Sequence, residues 1–153
     1  MNLADLLRKE NIFMAQTFAN TDDFYTEFTN FLDERGYIQD KENIKRLFVK
    51  RENVQSTAIG KGAAAPHIFS SEFSDFLFSI AFIKDGVDFK APDQQNVFLV
   101  FLIMSAEREV GRHLKTLAHI ARLVKTSQLV EKVKLAENVD EVYAAIVESE
   151  KQI

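Results

Sequence analysis

The stretch from Val97 to Met104, VFLVFLIM, is an unbroken apolar run of strand length. Such a run is typical of a β-strand that is covered on both faces, because it lacks the alternation of a strand with one wet face. A second run, Phe76 to Ile83 (FLFSIAFI), precedes it. The region from Asp85-Gly86 to Pro92-Asp93 separates the two and has the composition of a turn. The two runs predict two strands that are covered on both faces.

Helical patterns lie on the N-terminal side of these strands. Asn11 to Phe18 is apolar-rich and predicts one further strand. Thr21 is then expected to cap a helix, since the two aspartates after it favour the positive end of the helix dipole. Gly36 is expected to end that helix, and Asp40 to cap a second one.

Helix returns on the C-terminal side, from Glu107 onward. The residues expected to form its buried stripe are Val110, Leu114, Leu117, Ala118, Ala121 and Val124. Two shorter helices are expected over Ser127 to Leu135 and Val139 to Val147, the second capped by Asn138. This order of elements predicts a single α/β domain over residues 1–153, with a mixed β-sheet sandwiched between helices.

Composition excludes several classes of function. The chain of 153 residues has no cysteine, so thiol nucleophiles, disulfides and cysteine-ligated metals are absent. The net charge is −4, and the short basic run from Lys45 to Arg51 is interpreted as a solvated helix face, so nucleic-acid binding is not expected. Neither a signal peptide nor a membrane-spanning segment is expected, and a cytoplasmic location fits the lack of cysteine.

The segment from Ser56 to Phe69, STAIGKGAAAPHIF, places small residues in front of a histidine. Gly60 and Gly62 allow positive φ and close approach to the backbone, and Pro66 stiffens the chain just before His67. A tight turn with an incidental histidine fits the segment equally well. A phosphate-cradling loop is a third interpretation, although the pattern lacks the GK[ST] of a Walker motif. A rigid, exposed and neutral imidazole would suit a nucleophile that attacks phosphorus.

The other two histidines are candidates of different kinds. His119 is expected to face solvent, because it lies about 200° around the helix from Leu117. His113 is expected at the edge of the buried stripe, either as a packed residue or as part of a site. No metal site is expected, since the histidines are badly spaced for zinc and no HExxH motif is present. Arg51 and His113 are the candidates to accompany His67 at a phosphoryl group.

The run KRENVQSTAIGKGAAAPH, from Lys50 to His67, resembles the signature of the enzyme IIA domain of the bacterial sugar phosphotransferase system. The class is the fructose/mannitol type, which also contains the nitrogen-regulatory IIA protein. The matching elements are an Arg-Glu pair, a Ser-Thr pair, a Gly-x-Gly loop and Ala-x-Pro-His. The later histidine in GRHLKTLAHIARLV, His113, also has the spacing of that family. The resemblance extends roughly from Leu3 to Val147.

The resemblance implies a phosphocarrier activity without a cofactor. It implies that His67 accepts a phosphoryl group from the phosphocarrier protein HPr and passes it to a IIB domain, commonly onto a cysteine. By the same resemblance Arg51 would neutralise the phosphoryl oxygens, and His113 would hydrogen-bond the group or orient the site. Thr57 and Gly60 would support the shape of the loop.

Two questions stay open at this level. Ile68, Phe69 and Phe73 are candidates for the contact with partner proteins, but the core is the favoured interpretation for the two phenylalanines. The output could be sugar uptake, or it could be regulatory, with the phosphorylation state controlling another protein. A non-catalytic α/β interaction module is the remaining alternative. The sequence indicates neither the sugar nor the oligomeric state.

Overall fold

The structure of the chain, a computed structural model, describes all 153 residues. The helices are α1 (Leu3–Leu6), α2 (Thr21–Glu34), α3 (Lys41–Val54), α4 (Val110–Thr126), α5 (Leu129–Val133) and α6 (Val139–Glu150). The strands are β1 (Ile12–Ala15), β2 (Ala58–Gly60), β3 (Ala63–Ala64), β4 (His67–Phe69), β5 (Leu77–Val87) and β6 (Val97–Ser105). Short 3-10 turns cover Lys9–Asn11 and Glu107–Glu109. No helix has both the length and the apolar character needed to cross a membrane.

The strands form one mixed sheet of six strands in the order β1-β5-β6-β3-β2, with β4 also paired to β6. The two apolar runs of the sequence are strands, as predicted, and they form the central antiparallel pair, β5 and β6. The predicted turn begins too early, because β5 continues through Asp85-Gly86 to Val87. Along β6 the side chains alternate between two cores, so that Phe101 lies in one and Leu102 in the other. This burial on both faces explains why β6 is apolar at every position from Val97 to Met104, before it ends at Ser105.

Helices cover both faces of the sheet, which confirms the predicted sandwich. A core of 21 buried residues lies between the sheet and helices α1, α4, α5 and α6. A core of 19 buried residues lies on the other face, under α2 and α3, and is rich in phenylalanine. Phe24 and Phe28 stack there with 5.9 Å between ring centroids.

Strands β3 and β4 run along β6 as one interrupted strand that keeps a constant register. Ala63 pairs with Leu99 and His67 pairs with Ile103, so both pairs are separated by four residues and there is no bulge between them. The interruption lies at Pro66, which has no N–H to donate. The Pro66 carbonyl nevertheless accepts the Ile103 amide at 3.1 Å. Because β4 pairs only with β6, His67 lies at an edge of the sheet.

Two expectations for the N-terminal elements need correction. The strand expected over Asn11 to Phe18 is shorter, since β1 covers only Ile12–Ala15. The cap of α2 is Asn20 rather than Thr21: the Asn20 side chain accepts the Asp23 amide at 2.8 Å, and Thr21 is the first helical residue. Gly36 does follow the end of this helix, in the left-handed region at φ 74°, and Asp40 does cap α3.

The predicted buried stripe of α4 is largely wrong. Val110 and Leu114 are 51% and 63% exposed, and the buried residues are His113, Thr116, Ile120, Leu123 and Val124. Both sets recur at helical spacing, so the periodicity alone does not select between them. The observed face is rotated by about one residue, or about 100°, from the expected one. As a result His113 points into the protein and two apolar side chains point out of it.

Candidate active site

His67 is the partly buried first residue of β4. The next residue, Ile68, packs in the core under α2 and α3, so the His67 side chain projects toward the opposite face of the sheet. Its Nδ1 lies 3.4 Å from the carbonyl oxygen of Ala65. Burial lowers the pKa of His67 below its usual 6.5; the hydrogen bond to Ala65 opposes this shift, and the positive charge of Arg51 adds to it. The imidazole is therefore neutral near pH 7.

His113 occupies the first turn of α4 and is only 1% exposed. Its Nε2 lies 2.5 Å from the hydroxyl oxygen of Ser105, at the end of β6, and its ring stacks on Phe69 with centroids 4.2 Å apart. Burial, with a smaller effect of the His67 charge, lowers the pKa of His113 to about 4. The expected position at the edge of a buried stripe is thus corrected to the interior.

The two histidines are brought together by the end of β6 and the start of α4. Their ring centroids are 6.0 Å apart with 70° between the ring planes, so one ring meets the other edge-on. The Nδ1 atom of His113 is buried and has no hydrogen-bond partner. An unpaired buried nitrogen costs about 1–3 kcal/mol, which makes this atom available to a group bound beside it.

Arg51 lies in the last turn of α3. Its Nη1 donates to the carbonyl oxygen of Gln55 at 2.8 Å, which holds the guanidinium at the end of the helix. Its charge is close enough to His67 to lower the pKa of the imidazole. Arg51 is therefore near His67, which in turn lies beside the buried His113, although the three residues are far apart in the sequence.

A carboxylate that the sequence analysis did not single out organises the same region. Glu52 accepts the Tyr25 hydroxyl at 2.6 Å, the Thr57 amide at 2.6 Å and the Thr57 hydroxyl at 2.8 Å. Thr57, a predicted support residue, is 5% exposed. The Arg-Glu pair of the motif was the available signal for Glu52, but nothing in the sequence shows which partners it meets.

Gly60 is placed away from the histidines. It ends β2 with φ 93°, in the turn before β3, and a Cβ at this position would lie 3.8 Å from the Asp93 carboxylate. The turn adjoins Ala63, which pairs with Leu99, whereas His67 pairs with Ile103. The two pairing positions are four residues apart on β6, or about 13 Å along the strand. Gly60 shapes the hairpin that leads into β3 and β4.

The residues expected to contact partners are mostly internal. Ile68 and Phe73 are 4% and 6% exposed and belong to the core under α2 and α3, so the expected surface role is wrong for Ile68, and the core alternative is correct for Phe73. Phe69 supports the His113 ring. Apolar side chains are exposed elsewhere around the site: Val54 at the end of α3, and Val110 and Leu114 at the start of α4.

His119 does not face solvent as expected. Its side chain is 15% exposed, and its Nε2 lies 2.7 Å from the buried carboxylate of Glu150. That carboxylate also accepts the Leu3 and Ala4 amides, at 2.6 and 3.0 Å. The pair therefore attaches the N-terminal helix to α4 and α6. No group of three or more histidine and carboxylate side chains is arranged to hold a metal ion.

Known proteins are similar to this chain in sequence, and a solved structure is similar to it in fold. Over 151 residues the chain is 28% identical to the fructose-specific EIIABC component of the phosphotransferase system of Bacillus subtilis; the match covers 99% of the chain and 24% of that much longer protein. It is 30% identical to the nitrogen regulatory protein of Bradyrhizobium diazoefficiens over 71% of both chains. The crystal structure of the nitrogen regulatory protein IIA-Ntr of Neisseria meningitidis superposes with a TM-score of 0.84 at 23% identity, over 94% of this chain and 98% of that one.

The match to a protein family covers almost the whole chain. Residues 5–149 match the family described as "Phosphoenolpyruvate-dependent sugar phosphotransferase system, EIIA 2". The matched region includes the sheet, both cores and the three clustered side chains of Arg51, His67 and His113. The chain therefore belongs to the EIIA type 2 family of the phosphoenolpyruvate-dependent sugar phosphotransferase system.

Proposed function

We propose that the chain is a phosphocarrier IIA domain, comprising residues 1–153, that accepts a phosphoryl group on His67 from phosphorylated HPr and passes it to a IIB domain. The observation that carries this proposal is the arrangement of His67: its ring meets that of His113 edge-on. The nearby positive charge of Arg51 helps to keep the imidazole neutral by lowering its pKa. The relative from Bacillus subtilis, an EIIABC component, combines A, B and C parts, and this supports a IIB domain as the acceptor.

We infer the reacting nitrogen from the hydrogen bond of His67. In a neutral imidazole one nitrogen carries a proton and the other carries a lone pair. The Ala65 carbonyl can only accept, so Nδ1 donates to it and Nε2 keeps the lone pair. In the transfer step this lone pair attacks phosphorus. A P–N bond forms at Nε2 as the P–N bond of the donor phosphohistidine breaks, and the donor imidazole leaves with the electron pair.

The surrounding groups would stabilise the charge of the transferred group. Phosphoryl transfer passes through a loose transition state with negative charge spread over three oxygens, so catalysis consists of positioning and nearby positive donors. The guanidinium of Arg51 supplies a permanent charge and a fork of N–H donors. His113 is neutral, and its unpaired Nδ1 can donate to a phosphoryl oxygen when that nitrogen carries the proton.

The apolar side chains around the site fit a transient protein interface. Val110 and Leu114 extend outward from the helix that bears His113, and Val54 lies one turn beyond Arg51. A phosphoryl group that moves between two proteins needs partners that dock and separate quickly, which small interfaces allow. We propose that these three residues contact HPr and the IIB domain in turn.

The direct test is phosphorylation in a reconstituted system. The protein is mixed with the general phosphotransferase enzyme, HPr and labelled phosphoenolpyruvate, followed by addition of a IIB domain. We expect an acid-labile label on the wild-type protein that disappears when the IIB domain is added, and no label on His67→Ala. A wild-type protein that stays unlabelled, or a His67→Ala variant labelled to the same extent, would reject the proposal.

A regulatory output is the second candidate. It is favoured by the 30% identity to a nitrogen regulatory protein over 71% of both chains. In this version His67 is phosphorylated in the same way, but the phosphorylation state controls the binding of another protein. The discriminating measurement offers the phosphorylated chain a panel of IIB domains. Transfer to a IIB domain supports uptake, whereas a phosphoryl group that no IIB domain accepts, together with capture of a partner by only one of the two states, supports regulation.

A further inference from the structure

The carboxylate of Glu52 joins three parts of the chain close to His67. Its Oε1 accepts the hydroxyls of Tyr25 and Thr57, and its Oε2 accepts the Thr57 backbone amide. Tyr25 belongs to α2, Glu52 to α3, and Thr57 to the segment that leads into β2. All three contacts are between 2.6 and 2.8 Å, the short range of hydrogen bonds to an ionised acceptor.

The Tyr25 hydroxyl is a permanent donor to this carboxylate. Burial, reinforced by the negative charge of Glu52, raises the pKa of Tyr25 well above its usual value of 10.0. The ring is fully buried and stacks on Phe48 of α3, with centroids 5.0 Å apart and ring planes 7° from parallel. Tyr25 can therefore neither lose its proton near neutral pH nor leave its place, and it fixes the carboxylate from the side of α2.

Hydrogen bonds continue from Thr57 to the reacting imidazole. The Thr57 carbonyl accepts the Ala65 amide at 3.0 Å, and the Ala65 carbonyl lies 3.4 Å from Nδ1 of His67. Glu52 is also the direct neighbour of Arg51 in the last turns of α3. Glu52 thus attaches the end of α3, which carries Arg51, to Thr57, and the hydrogen bonds of Thr57 and Ala65 lead from there to His67.

We propose that Glu52 is a positioning residue for phosphoryl transfer: its carboxylate sets the placement of the Arg51 guanidinium relative to the His67 imidazole. The inference rests on the proposed phosphocarrier function. Glu52 needs no contact with the phosphoryl group for this role. The two carboxylate oxygens accept three hydrogen bonds, from the Tyr25 hydroxyl and from the hydroxyl and amide of Thr57. Glutamine has the same shape but only one acceptor oxygen, so it would leave at least one of these donors without a partner.

The first test uses the pKa of His67, which is read without any phosphotransfer partner. Burial, the Ala65 carbonyl and the charge of Arg51 shift this pKa, and Glu52 is not among these causes, so a change at Glu52 acts on it through Arg51. Displacing Arg51 raises the pKa of His67, because the charge of Arg51 now lowers it. We expect Glu52→Gln to raise the pKa of His67 in an NMR titration. An unchanged or lower pKa in the folded variant would overturn the inference.

The second test compares phosphorylation rates with phosphorylated HPr. A reacting group displaced by about 1 Å can cost about 100-fold in rate, so we expect Glu52→Gln to be about 10- to 100-fold slower than wild type. Glu42→Gln is the matched control, since Glu42 is an exposed carboxylate in the first turn of the same helix. Glu42→Gln should keep the wild-type rate and the wild-type pKa of His67.

A second variant covers the case in which Glu52→Gln does not fold. Thr57→Val is nearly isosteric and removes only the hydroxyl donor, while the amide contact to Glu52 remains. We expect the same two changes, smaller in size, with a rate about 3- to 10-fold below wild type. Wild-type rates in the folded variants would overturn the role of Glu52 alone, whereas a wild-type protein that HPr never phosphorylates would instead refute the proposed function.

Discussion

The imidazole of His113 meets that of His67 edge-on, with 6.0 Å between the ring centroids, while the face of the His113 ring rests on Phe69. The partner of the proposed nucleophile is therefore a buried ring with a fixed orientation. Ser105 holds one of its nitrogens, and the other has no partner in the free protein. The fold disfavours a proton on either of these two neighbouring imidazoles, since the pKa of each is lowered. The stability of the protein therefore depends on pH in the range in which histidines take up protons.

The first prediction concerns stability at low pH. The pKa of His113 is lowered from 6.5 to about 4, so between these values the unfolded chain binds a proton that the folded chain does not. Stability is therefore lost as the pH falls through this window, by about 3 kcal/mol at most for this residue. The lowered pKa of His67 acts in the same direction. Urea unfolding at pH 7 and pH 4.5 measures the effect.

The matched variant for this measurement is His113→Gln, which keeps a polar side chain but does not titrate. Protonation of carboxylates affects both proteins alike, so the difference between their pH dependences isolates the histidine. We expect a shallower loss of unfolding free energy in the variant. Equal losses in the two proteins would show that His113 is not held in its neutral form by the fold.

A second prediction addresses the guanidinium of Arg51. Arg51→Met removes a charge that now lowers the pKa of His67, so this pKa should rise toward 6.5 in an NMR titration. The same change removes donors from the transition state and should slow phosphorylation about 100-fold. Arg51→Lys keeps the charge without the fork of donors and should lie between the two. A pKa of His67 that stays constant in Arg51→Met would place the guanidinium outside the site.

The apolar surface around the site leads to a third prediction. Leu114 is 63% exposed, so Leu114→Asp should change the free energy of unfolding by no more than about 0.5 kcal/mol. It should raise the KM for phosphorylated HPr about 5- to 30-fold, the range of one interface residue that contributes about 1–2 kcal/mol. Leu135→Asp is the control, because Leu135 is 79% exposed and follows α5, far along the chain from the site. Equal KM values for the two variants would contradict the proposed docking surface.

A fourth prediction separates the third histidine from the site. Glu150→Gln offers one acceptor oxygen where the carboxylate now serves Leu3, Ala4 and His119. The buried donors left unpaired should cost about 1–3 kcal/mol of unfolding free energy, measured by chemical denaturation. The phosphorylation rate should not change. A slower rate at unchanged stability would instead connect this pair with phosphoryl transfer.

The central strands and the sandwich could be predicted because their signal is local. A strand buried on both faces has a continuous apolar sequence, and β6 shows this directly from Val97 to Met104. The glycine and proline residues before His67 likewise act on their own neighbours. The resemblance to a family groups Arg51, His67 and His113, since no local rule predicts that the end of α3 and the start of α4 lie beside β4.

The orientation of α4 and the partners of two carboxylates could not be predicted in this way. Two stripes of residues at helical spacing could each form the buried face of α4. The stripe that is buried includes His113, which packs against Phe69 at the edge of the sheet. His119 is expected in solvent from its position on the helix. Its actual partner, Glu150, is 31 residues further along the chain, so no local pattern indicates the contact. Glu52 meets Tyr25 from 27 residues away. Contacts of this kind follow from the assembled fold.

The most direct test of the central claim is to locate the phosphoryl group by NMR after incubation with the general phosphotransferase enzyme, HPr and phosphoenolpyruvate. We predict one acid-labile group bound to Nε2 of His67, with Nδ1 still protonated toward Ala65 and with His113 and His119 unmodified. A phosphoryl group on any other residue, or a wild-type protein that remains unphosphorylated beside a functional IIA control, would contradict it.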